Sequence, residues 1–394
     1  MNAPVFEHPT VDTRQHHLIS PACGTARSLC SWHFGAPGAG PKVYLQASLH
    51  ADELPGMLVI QHLRQHLQQA EAAGQLRGQV VLVPMANPIG LDQTWLQLQM
   101  GRFEMASGQN FNRHYPVWVD WLRESGHDVA TQLGPDAQAN VRTVRQAMHH
   151  ALLRHPPTTE LDSLRHTLVG LACDADVVLD LHCDFEAVVH LYMEPECEPG
   201  LRPLTQWLGA QAVLLARGTG AHCFDESLSG VWWQLRESLL ASHGSDFVAT
   251  HPLPQACLST TVELRGQTDV SDALASRDSQ ALLAFLTDLK VLEGPDHGPA
   301  PQPLCQPTPL SGSQYLHAPC AGVVSFQRQP GDWVKPGDVI ARVVNPITAQ
   351  SQLVCSDTDG LLYTRHHLRW ATTGMELAKI SGASPRRTGA LLGP

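Results

Sequence analysis

Three titratable residues lie where a predicted strand gives way to a helix. The stretch SLHADELPG follows the apolar run KVYLQA and contains His50, Asp52 and Glu53. A strand that only packs in a core has no use for such groups at its end, whereas imidazole nitrogen and carboxylate oxygen are ligands that zinc prefers. His50 and Glu53 are therefore candidate metal ligands, although chance His-x-x-Glu matches are also expected in a chain with 22 histidines.

A further histidine closes a second apolar run. The sequence VVLDLHCD places His182 at the carboxyl end of a predicted strand, with Asp180 two residues earlier. Open α/β sheets bind ligands at the carboxyl ends of their strands, and a catalytic zinc usually has three protein ligands and one open position. His182 is thus a candidate third ligand, and Asp180 could orient an imidazole. The alternative is a core histidine whose hydrogen bonds are satisfied locally.

A carboxylate interrupts a third apolar run. The sequence TTVELRG places Glu263 inside a predicted strand, where a charge is costly unless it is paired or functional. A partly desolvated Glu with a raised pKa is suited to act as a general base toward water at a metal site. The alternative is a structural ion pair with Arg265, which lies on the same face of the strand.

Two arginines lie in an irregular segment. The stretch QMGRFEMASGQNFNRHYP contains Arg102, Asn112 and Arg113. Guanidinium groups bind carboxylates in a bidentate manner and stabilise an oxyanion. These residues are candidates for substrate binding, with a loop carrying surface arginines as the alternative.

Two acids lie in a second predicted loop. The stretch GTGAHCFDESLSGVWWQLRE contains Asp225 and Glu226. If this segment reaches the metal site, the acids favour a cationic group, such as an arginine or diamine side chain. The alternative is a solvated acidic loop.

The elements that position these residues alternate between strand and helix. Short apolar runs predict strands at 42–49, 79–86, 175–182 and 259–266. Between the first two, Met57, Ile60, Leu63 and Leu67 recur at helical spacing. This βαβ order predicts an α/β fold with a mostly parallel or mixed central sheet and helices on both faces.

The residue composition of the chain changes after residue 296. Residues 297–312 are rich in Pro and Gly and predict a linker, and residues 313–394 contain short strands with turn signals. We therefore expect a catalytic domain at 1–296 and a small all-β domain at 313–394, whose last dozen residues are loose.

Composition limits the classes of partner. The chain of 394 residues carries 37 acidic and 26 basic residues, a net charge of −11, and no basic cluster that would bind nucleic acid. No apolar run approaches the roughly 20 residues of a membrane span, and the N-terminal stretch lacks the pattern of a signal peptide. Ten scattered cysteines without a CxxC pair indicate a reducing cytoplasm. The expected partner is a small molecule or a peptide.

Five motifs in order carry a resemblance to a known family. HADE, VPMANPIGL, NFNRHYP, DLHCD and TVELRG resemble the succinylglutamate desuccinylase/aspartoacylase family, which has the zinc carboxypeptidase fold. The resemblance implies one zinc ion per chain, held by His50, Glu53 and His182, with Glu263 as the general base.

The same resemblance implies roles for the polar loop. Arg113, with Asn112, matches the pair that holds a substrate carboxylate, and Arg102 resembles the arginine that polarises the scissile carbonyl. Here Asn110 replaces the acid of the commoner DLNR motif, which can alter the orientation of Arg113.

The C-terminal part resembles a biotinyl/lipoyl-type half-barrel, as found in this family. A carrier domain needs a lysine at an exposed hairpin tip, and the stretch NPITAQSQ has none. We therefore expect a non-carrier barrel that packs near the active site or forms a subunit contact.

The function that these observations predict is zinc-dependent hydrolysis of an amide bond in a small carboxylate-bearing substrate, of the N-acyl amino acid deacylase type. One alternative is a metallo-exopeptidase of the carboxypeptidase type that acts on a peptide or isopeptide end, including a cyanophycin-like Asp/Arg polymer. Another is a non-catalytic binding module that kept the fold. The resemblance also suggests a homo-oligomer.

Overall fold

The structure is a computed structural model that describes residues 11–126, 128–220, 222–294 and 297–393. The strands of the α/β part are β1 (Asp12–His17), β2 (Ser28–Phe34), β3 (Lys42–Ala47), β4 (Gln79–Val83), β5 (Thr94–Trp95), β6 (Leu98–Gln99), β7 (Val177–Asp184), β8 (Glu186–Ala187), β9 (Val189–Met193), β10 (Ala212–Leu215), β11 (Leu258–Gly266) and β12 (Thr308–Pro309).

The helices all precede the C-terminal strands. They are α1 (Pro55–Ala72), α2 (Pro88–Leu91), α3 (Trp118–Glu124), α4 (Ala137–Arg154), α5 (Glu160–Ala172), α6 (Glu198–Leu208), α7 (Phe224–His243), α8 (Ser245–Thr250) and α9 (Asp272–Asp288). Within the described ranges, none of them is long and apolar enough to cross a lipid bilayer.

A large mixed sheet forms the centre of the α/β part. Its described strands lie in the order β1–β2–β4–β3–β7–β11–β9–β10–β12. The four central strands β4, β3, β7 and β11 are parallel, whereas β9 runs antiparallel to β11 and β2 runs antiparallel to β4. The prediction of an α/β fold with a mixed central sheet is therefore confirmed, and the carboxyl ends of β3, β7 and β11 meet at one edge.

Helices cover both faces of this sheet. Helices α1, α6 and α9 pack over one face, where Ile60, Leu201 and Phe285 share a core with the strands. Helices α3, α4, α5 and α7 pack over the other face, where Met148 and Trp232 are buried. The chain thus buries two separate cores, one on each side of the sheet, as an α/β fold requires.

Gly56 allows α1 to lie close to the sheet. A Cβ atom at this position would lie 2.9 Å from the Cβ atoms of both Ala47 and Leu181. We expect Gly56→Ala to lower the free energy of unfolding by about 1–3 kcal/mol, because the helix must move away from the strands.

The matched control for this substitution is Gly134→Ala, where an added Cβ meets nothing within 4 Å. Urea denaturation of both variants measures the difference. Equal stability of the two variants would contradict the close packing of α1 on β3 and β7.

The C-terminal part is all-β, as the sequence predicts. Its strands are β13 (Gln314–His317), β14 (Gly322–Phe326), β15 (Trp333–Val334), β16 (Val339–Val344), β17 (Ser351–Cys355), β18 (Gly360–Arg365), β19 (Trp370–Ala371) and β20 (Glu376–Ile380). They form one sheet in the order β13–β20–β18–β15 and another in the order β17–β16–β14–β19, with an apolar core of their own. Strand β8 of the α/β part pairs with β18, so the two parts share a sheet.

Two boundaries differ from those expected. The predicted linker 297–312 is not a linker throughout, because Thr308–Pro309 pairs with β10 and extends the large sheet. The prediction of a loose tail is wrong at Leu391, which is buried in an apolar cluster that includes Leu214 and Tyr363. Both segments are fixed by contacts with distant parts of the chain, which local composition does not reveal.

Candidate metal centre and substrate pocket

The turn between β3 and α1 carries two of the predicted ligands. His50 and Glu53 lie just beyond the end of β3, where Ser48 adopts a positive φ of 58° and its hydroxyl donates to the carbonyl oxygen of Glu53 at 2.6 Å. This contact closes the turn and directs both ligand side chains toward β7. His182 lies within β7, near its carboxyl end.

The three predicted ligands form one buried cluster. The Nδ1 atom of His50 lies 3.0 Å from Oε1 of Glu53, and the Nδ1 atom of His182 lies 2.7 Å from Oε2 of the same carboxylate. One ligand atom from each residue lies within 4.8 Å of the others. Two imidazoles and one carboxylate at this spacing fit a divalent metal, and leave room for a further ligand.

The charges of this cluster are strongly coupled. Burial, together with the nearby guanidinium of Arg102, lowers the pKa of His50 to about 4. Burial disfavours the charged form of His182, but Asp180 and Glu53 more than offset it and raise the pKa of His182 well above its usual value. His182 must therefore lose a proton before it binds a metal, so metal affinity rises with pH.

Each imidazole is also held from its other side. The Nε2 atom of His50 lies 2.9 Å from Oδ1 of Asn110, and the Nε2 atom of His182 lies 2.9 Å from Oδ2 of Asp180, an ion-pair distance without an aligned hydrogen bond. Gln46 in turn donates to Oδ1 of Asp180 at 2.9 Å. Such outer contacts fix the ring orientation of metal-binding histidines. Asn110, which replaces the acid of the commoner motif, contacts His50.

Removal of the charge behind His182 is expected to weaken metal binding. We expect Asp180→Asn to lower metal affinity by about 10–100-fold, because the imidazole loses the carboxylate that orients it. The matched control is Asp184→Asn, which makes the same change on the same strand at a carboxylate that faces Lys379. Competition with a chromophoric chelator measures the affinities. If the two variants bind metal equally, Asp180 does not orient His182.

Glu263 lies beside the metal ligands on the neighbouring strand. It pairs in register with His182 across β11 and β7, and its Oε2 atom has no hydrogen-bond partner among the described residues. Burial, and then repulsion from Glu53, raises the pKa of Glu263 to about 8. Arg265 pairs with Asp278 instead, so the alternative of a structural ion pair between Glu263 and Arg265 is not observed.

The loop that precedes Asn110 brings Arg102 to the same cluster. The Nη1 atom of Arg102 lies 3.3 Å from Nδ1 of His50 and 3.6 Å from Oε1 of Glu53. The loop approaches because the carbonyl of Gly101 accepts a hydrogen bond from the amide of Ala51, at a position where an added Cβ would lie 2.2 Å from backbone. Arg102 therefore adds a positive charge next to the ligands.

Arg113 also lines the pocket. Its Nη1 atom donates to the carbonyl oxygen of Asn112 at 2.7 Å, and its Nη2 atom donates to the carbonyl oxygen of Gly393 at 2.5 Å. Asn112 accepts a hydrogen bond from the amide of Phe224 at 2.9 Å through its Oδ1 atom, so it also anchors the first turn of α7. The segment near the C-terminus thus contacts the arginine that the sequence assigns to a substrate carboxylate.

The acids of the second predicted loop lie on a helix. The prediction of a loop is wrong from Phe224 onward, because α7 begins there and places Asp225 and Glu226 in its first turn. Asp225 is buried, and burial followed by repulsion from Glu226 raises the pKa of Asp225 to about 7. Glu226 accepts a hydrogen bond from the amide of Thr219 at 2.8 Å. The alternative of a solvated acidic loop is therefore excluded.

One cavity of about 350 Å³ joins these groups. Its lining includes the predicted ligands, the predicted base and the predicted substrate-binding residues: His50, Glu53, Arg102, Asn112, Arg113, His182, Asp225, Glu226 and Glu263. The all-β part contributes Tyr315 and Lys379 to the same lining. Both parts of the chain therefore build the pocket.

Sequence reasoning missed several charged residues of this cavity, among them Glu194 and Lys379. Glu194 directly follows β9, in a pattern of apolar strand and acid that resembles the one around His182, so a local signal was present. Lys379 lies on β20 and its Nζ atom is 3.3 Å from Oδ2 of Asp184. No local signal identifies Lys379, because the two residues are 195 positions apart.

The fold and the cluster define an α/β protein with a candidate metal site at the carboxyl ends of its central strands. The profile of the succinylglutamate desuccinylase/aspartoacylase catalytic domain matches residues 39–289. The chain belongs to this family, as its ordered motifs predict.

Solved structures resemble the whole chain. A succinylglutamate desuccinylase/aspartoacylase family protein of Shewanella amazonensis is 27% identical, with a TM-score of 0.79 over 94% of this chain and 98% of the other. One from Shewanella frigidimarina is 22% identical, with a TM-score of 0.77 over 94% and 97% of the two chains. The ectoine utilization protein EutE (DoeB) of Ruegeria pomeroyi is 16% identical and shares the fold, with a TM-score of 0.63 over 96% and 98%. No curated protein sequence matches this chain significantly.

Proposed function

We propose that the protein is a zinc-dependent hydrolase that cleaves an amide bond in a small substrate bearing a carboxylate, in the manner of an N-acyl amino acid deacylase. The observation that carries this proposal is the position of Glu263, which lies in register with His182 and faces the same cavity as the ligand cluster. A metal site with a general base beside it can activate a water molecule for hydrolysis.

His50, Glu53 and His182 would hold one zinc ion per chain. Their nitrogen and carboxylate donors match the set found in zinc hydrolases, and the open side of the cluster faces the cavity. When bound there, zinc lowers the pKa of water and polarises a carbonyl group.

The remaining steps belong to side chains of the chain itself. Glu263 accepts the proton of the attacking water and later donates it to the leaving amine. Arg102 stabilises the negative charge that develops on the scissile carbonyl oxygen. Arg113 binds a carboxylate of the substrate and so fixes its orientation.

The C-terminal segment that reaches the cavity supports a second candidate function. Leu392 and Gly393 line the cavity and the carbonyl of Gly393 accepts from Arg113, so a peptide fits where a substrate would bind. This favours a metallo-exopeptidase of the carboxypeptidase type, which acts on a peptide or isopeptide end and includes an Asp/Arg polymer among its substrates.

A panel of amides distinguishes these functions. The zinc-loaded protein is incubated with N-acetyl- and N-succinyl-amino acids, β-Asp-Arg dipeptides and ordinary peptides, and amine release is measured. Cleavage confined to N-acyl amino acids supports the deacylase, and cleavage confined to peptides or isopeptides supports the exopeptidase. If the zinc-loaded protein cleaves none of them, the alternative of a non-catalytic binding module takes precedence.

The rate of hydrolysis is expected to rise with pH. Only the ionised carboxylate of Glu263 accepts a proton, and its pKa is raised from 4.5 to about 8 in the metal-free protein. A bound dication lowers this pKa, so the pH at which the rate stops rising lies between those two values. Below that pH, kcat/KM increases about tenfold per pH unit. A profile that stays flat from about pH 5 to 8 would contradict the assigned base.

Three further expectations remain predictions. They are a location in the reducing cytoplasm, a homo-oligomeric state, and the likeness of the all-β part to a biotinyl/lipoyl-type half-barrel that carries no cofactor.

A further inference from the structure

The far end of the cavity carries a buried carboxylate that the proposed reaction does not use. Glu194 is only 3% exposed and lines the cavity. Its Oε1 atom accepts a hydrogen bond from Nε1 of Trp233 at 2.8 Å, whereas its Oε2 atom has no hydrogen-bond partner in the described part of the chain. Burial of an unsatisfied carboxylate oxygen is costly, so the site is suited to a partner that arrives from outside.

Glu194 belongs to an acidic wall that consists of Glu194, Asp225 and Glu226. All three line the cavity, and repulsion from the other two adds to the effect of burial in raising the pKa of Glu194 to about 8. No ion pair links any member of the wall to a basic side chain among the described residues. Arg217, which stacks on Trp233, pairs instead with other carboxylates, those of Glu196 and Glu237.

The strand register gives the separation between the acidic wall and the metal site. Met193 pairs with Thr260 on β11, so Glu194 follows one position beyond, opposite the level of Ser259. Glu263 lies four residues further along β11, which corresponds to roughly 13 Å at the usual rise per residue. Asp225 lines the same cavity from the first turn of α7.

We infer that Glu194 and Asp225 form a subsite for a cationic group of the substrate, a guanidinium or a primary ammonium at the end of a side chain. The inference deepens the proposed function and rests on it. The substrate then carries a carboxylate bound at Arg113, a scissile amide at the metal site, and a cation at the acidic wall. Glu226 is a positioning residue, since its Oε1 atom is held by the amide of Thr219.

Pairs of substrates that differ only in this charge test the inference. Each acyl amino acid or peptide of the panel is prepared with arginine and with citrulline, which has nearly the same shape and no charge. We expect kcat/KM for the arginine compound to exceed that for citrulline by about 100-fold, as for buried charge pairs. Asp225→Asn and Glu194→Gln should each reduce this ratio at least tenfold.

The control variant is Glu196→Gln, which removes a neighbouring carboxylate that pairs with Arg217. It should keep the wild-type ratio. A ratio near one in the wild-type protein would overturn the inference while leaving hydrolysis intact.

A binding measurement separates this inference from the proposed function. Calorimetry on the zinc-loaded full chain compares N-acetyl-arginine with N-acetyl-citrulline and needs no turnover. If no amide is cleaved but the arginine compound binds more tightly and Asp225→Asn abolishes the difference, the cationic subsite stands and the hydrolase does not. Equal binding of the two compounds would overturn the subsite.

A different observation supports a second inference. The C-terminal strap, residues 386–393, runs from the all-β part to the cavity. Leu391 is buried, its amide donates to the carbonyl of Thr219 at 3.1 Å, and its carbonyl accepts from Tyr315 at 3.2 Å and from Arg387 at 2.7 Å. The strap ends with the carbonyl of Gly393 on Arg113.

The strap and a substrate carboxylate would both bind to the guanidinium of Arg113. Nη2 of Arg113 donates to Gly393 and Nη1 donates to the carbonyl of Asn112, so both Nη atoms already have acceptors, whereas Nε has none among the described residues. We propose that the C-terminal strap is an intramolecular competitor of the substrate, which must leave Arg113 before a carboxylate binds. This contact is autoinhibitory, and its release increases apparent affinity without altering the chemistry.

Removal of the strap tests this inference. A chain that ends at Gly389 should show a KM about tenfold lower at an unchanged kcat, in line with a binding-competent state that is only a minor fraction of the full chain. Leu391→Asp, which undocks the strap by placing a charge in an apolar cluster, should act in the same direction. A higher KM in both variants would mean that the strap completes the pocket, and would overturn the inference.

A labelled peptide of sequence GALLG provides a readout that needs no catalysis. We expect it to bind the shortened chain by fluorescence polarisation and to bind the full chain at least about tenfold more weakly, because the strap fills its site. Arg113→Gln in the shortened chain should abolish binding. Equal binding to the two chains, or no binding to either, would contradict competition at Arg113.

Discussion

Glu263→Gln is expected to lower kcat/KM for amide hydrolysis by about 10²–10⁴-fold while the content of bound zinc stays the same. Glutamine has nearly the same shape as glutamate but cannot accept a proton. Because the Oε2 atom of Glu263 makes no hydrogen bond with the described residues, the substitution removes little structural support. The loss of rate should therefore come from chemistry rather than from misfolding.

The same variant should be more stable without metal at alkaline pH. The folded protein raises the pKa of Glu263 from 4.5 to about 8, so it binds this proton more tightly than the unfolded chain does. Stability is consequently lost as pH rises between those values, and the substitution removes that loss. Thermal unfolding of the metal-free proteins near pH 9 should show a higher midpoint for the variant.

Steady-state kinetics, zinc content and thermal unfolding are measured on the same preparations. Unchanged turnover at full zinc content would remove Glu263 from its role as general base. Lost turnover with lost zinc would show instead that Glu263 belongs to the metal site.

His182→Ala is expected to abolish both zinc binding and hydrolysis. In the proposed site His182 is one of three ligands, so its loss should weaken metal affinity by more than the roughly 10–100-fold expected for an outer contact. The effect is large because Glu53 then keeps only His50 as a neighbour in the cluster.

The matched control is His190→Ala. His190 is buried on β9, next to the strand of Glu263, and its Nδ1 atom bonds to the carbonyl oxygen of Val188, outside the ligand cluster. The control should retain zinc even if it loses stability. Stoichiometric zinc and normal turnover in His182→Ala would contradict the assigned ligand set, as would equal zinc loss in both variants.

The meeting of His50, Glu53, His182 and Glu263 was predictable because their positions are encoded locally. His50 and His182 each follow an apolar run, and parallel strands bring their carboxyl ends to one edge of a sheet. The unusual cost of a carboxylate inside a strand marked Glu263 without any knowledge of its neighbours. For these residues, it is enough to know that each lies at or near the carboxyl end of a strand and that the strands are parallel.

Other parts of the pocket depend on contacts between distant segments. Arg113 and Gly393 are 280 positions apart, and the docking of the C-terminal strap depends on Thr219 and Tyr315, which no local pattern connects to it. Helix α7 was mistaken for a loop although Leu228, which is buried, begins an apolar series at helical spacing. Tertiary packing settles the strap, whereas the start of α7 was readable from this local series.

We propose that zinc held by this cluster drives amide hydrolysis, and removal and return of the metal test that proposal. Zinc content and hydrolysis of the amide panel are determined on one preparation before chelation, after chelation, and after titration with zinc. We expect activity to disappear with the metal and to return in proportion to it, with a plateau at one zinc per chain. Activity that survives complete removal of zinc, or a fully zinc-loaded protein that cleaves no amide, would contradict it.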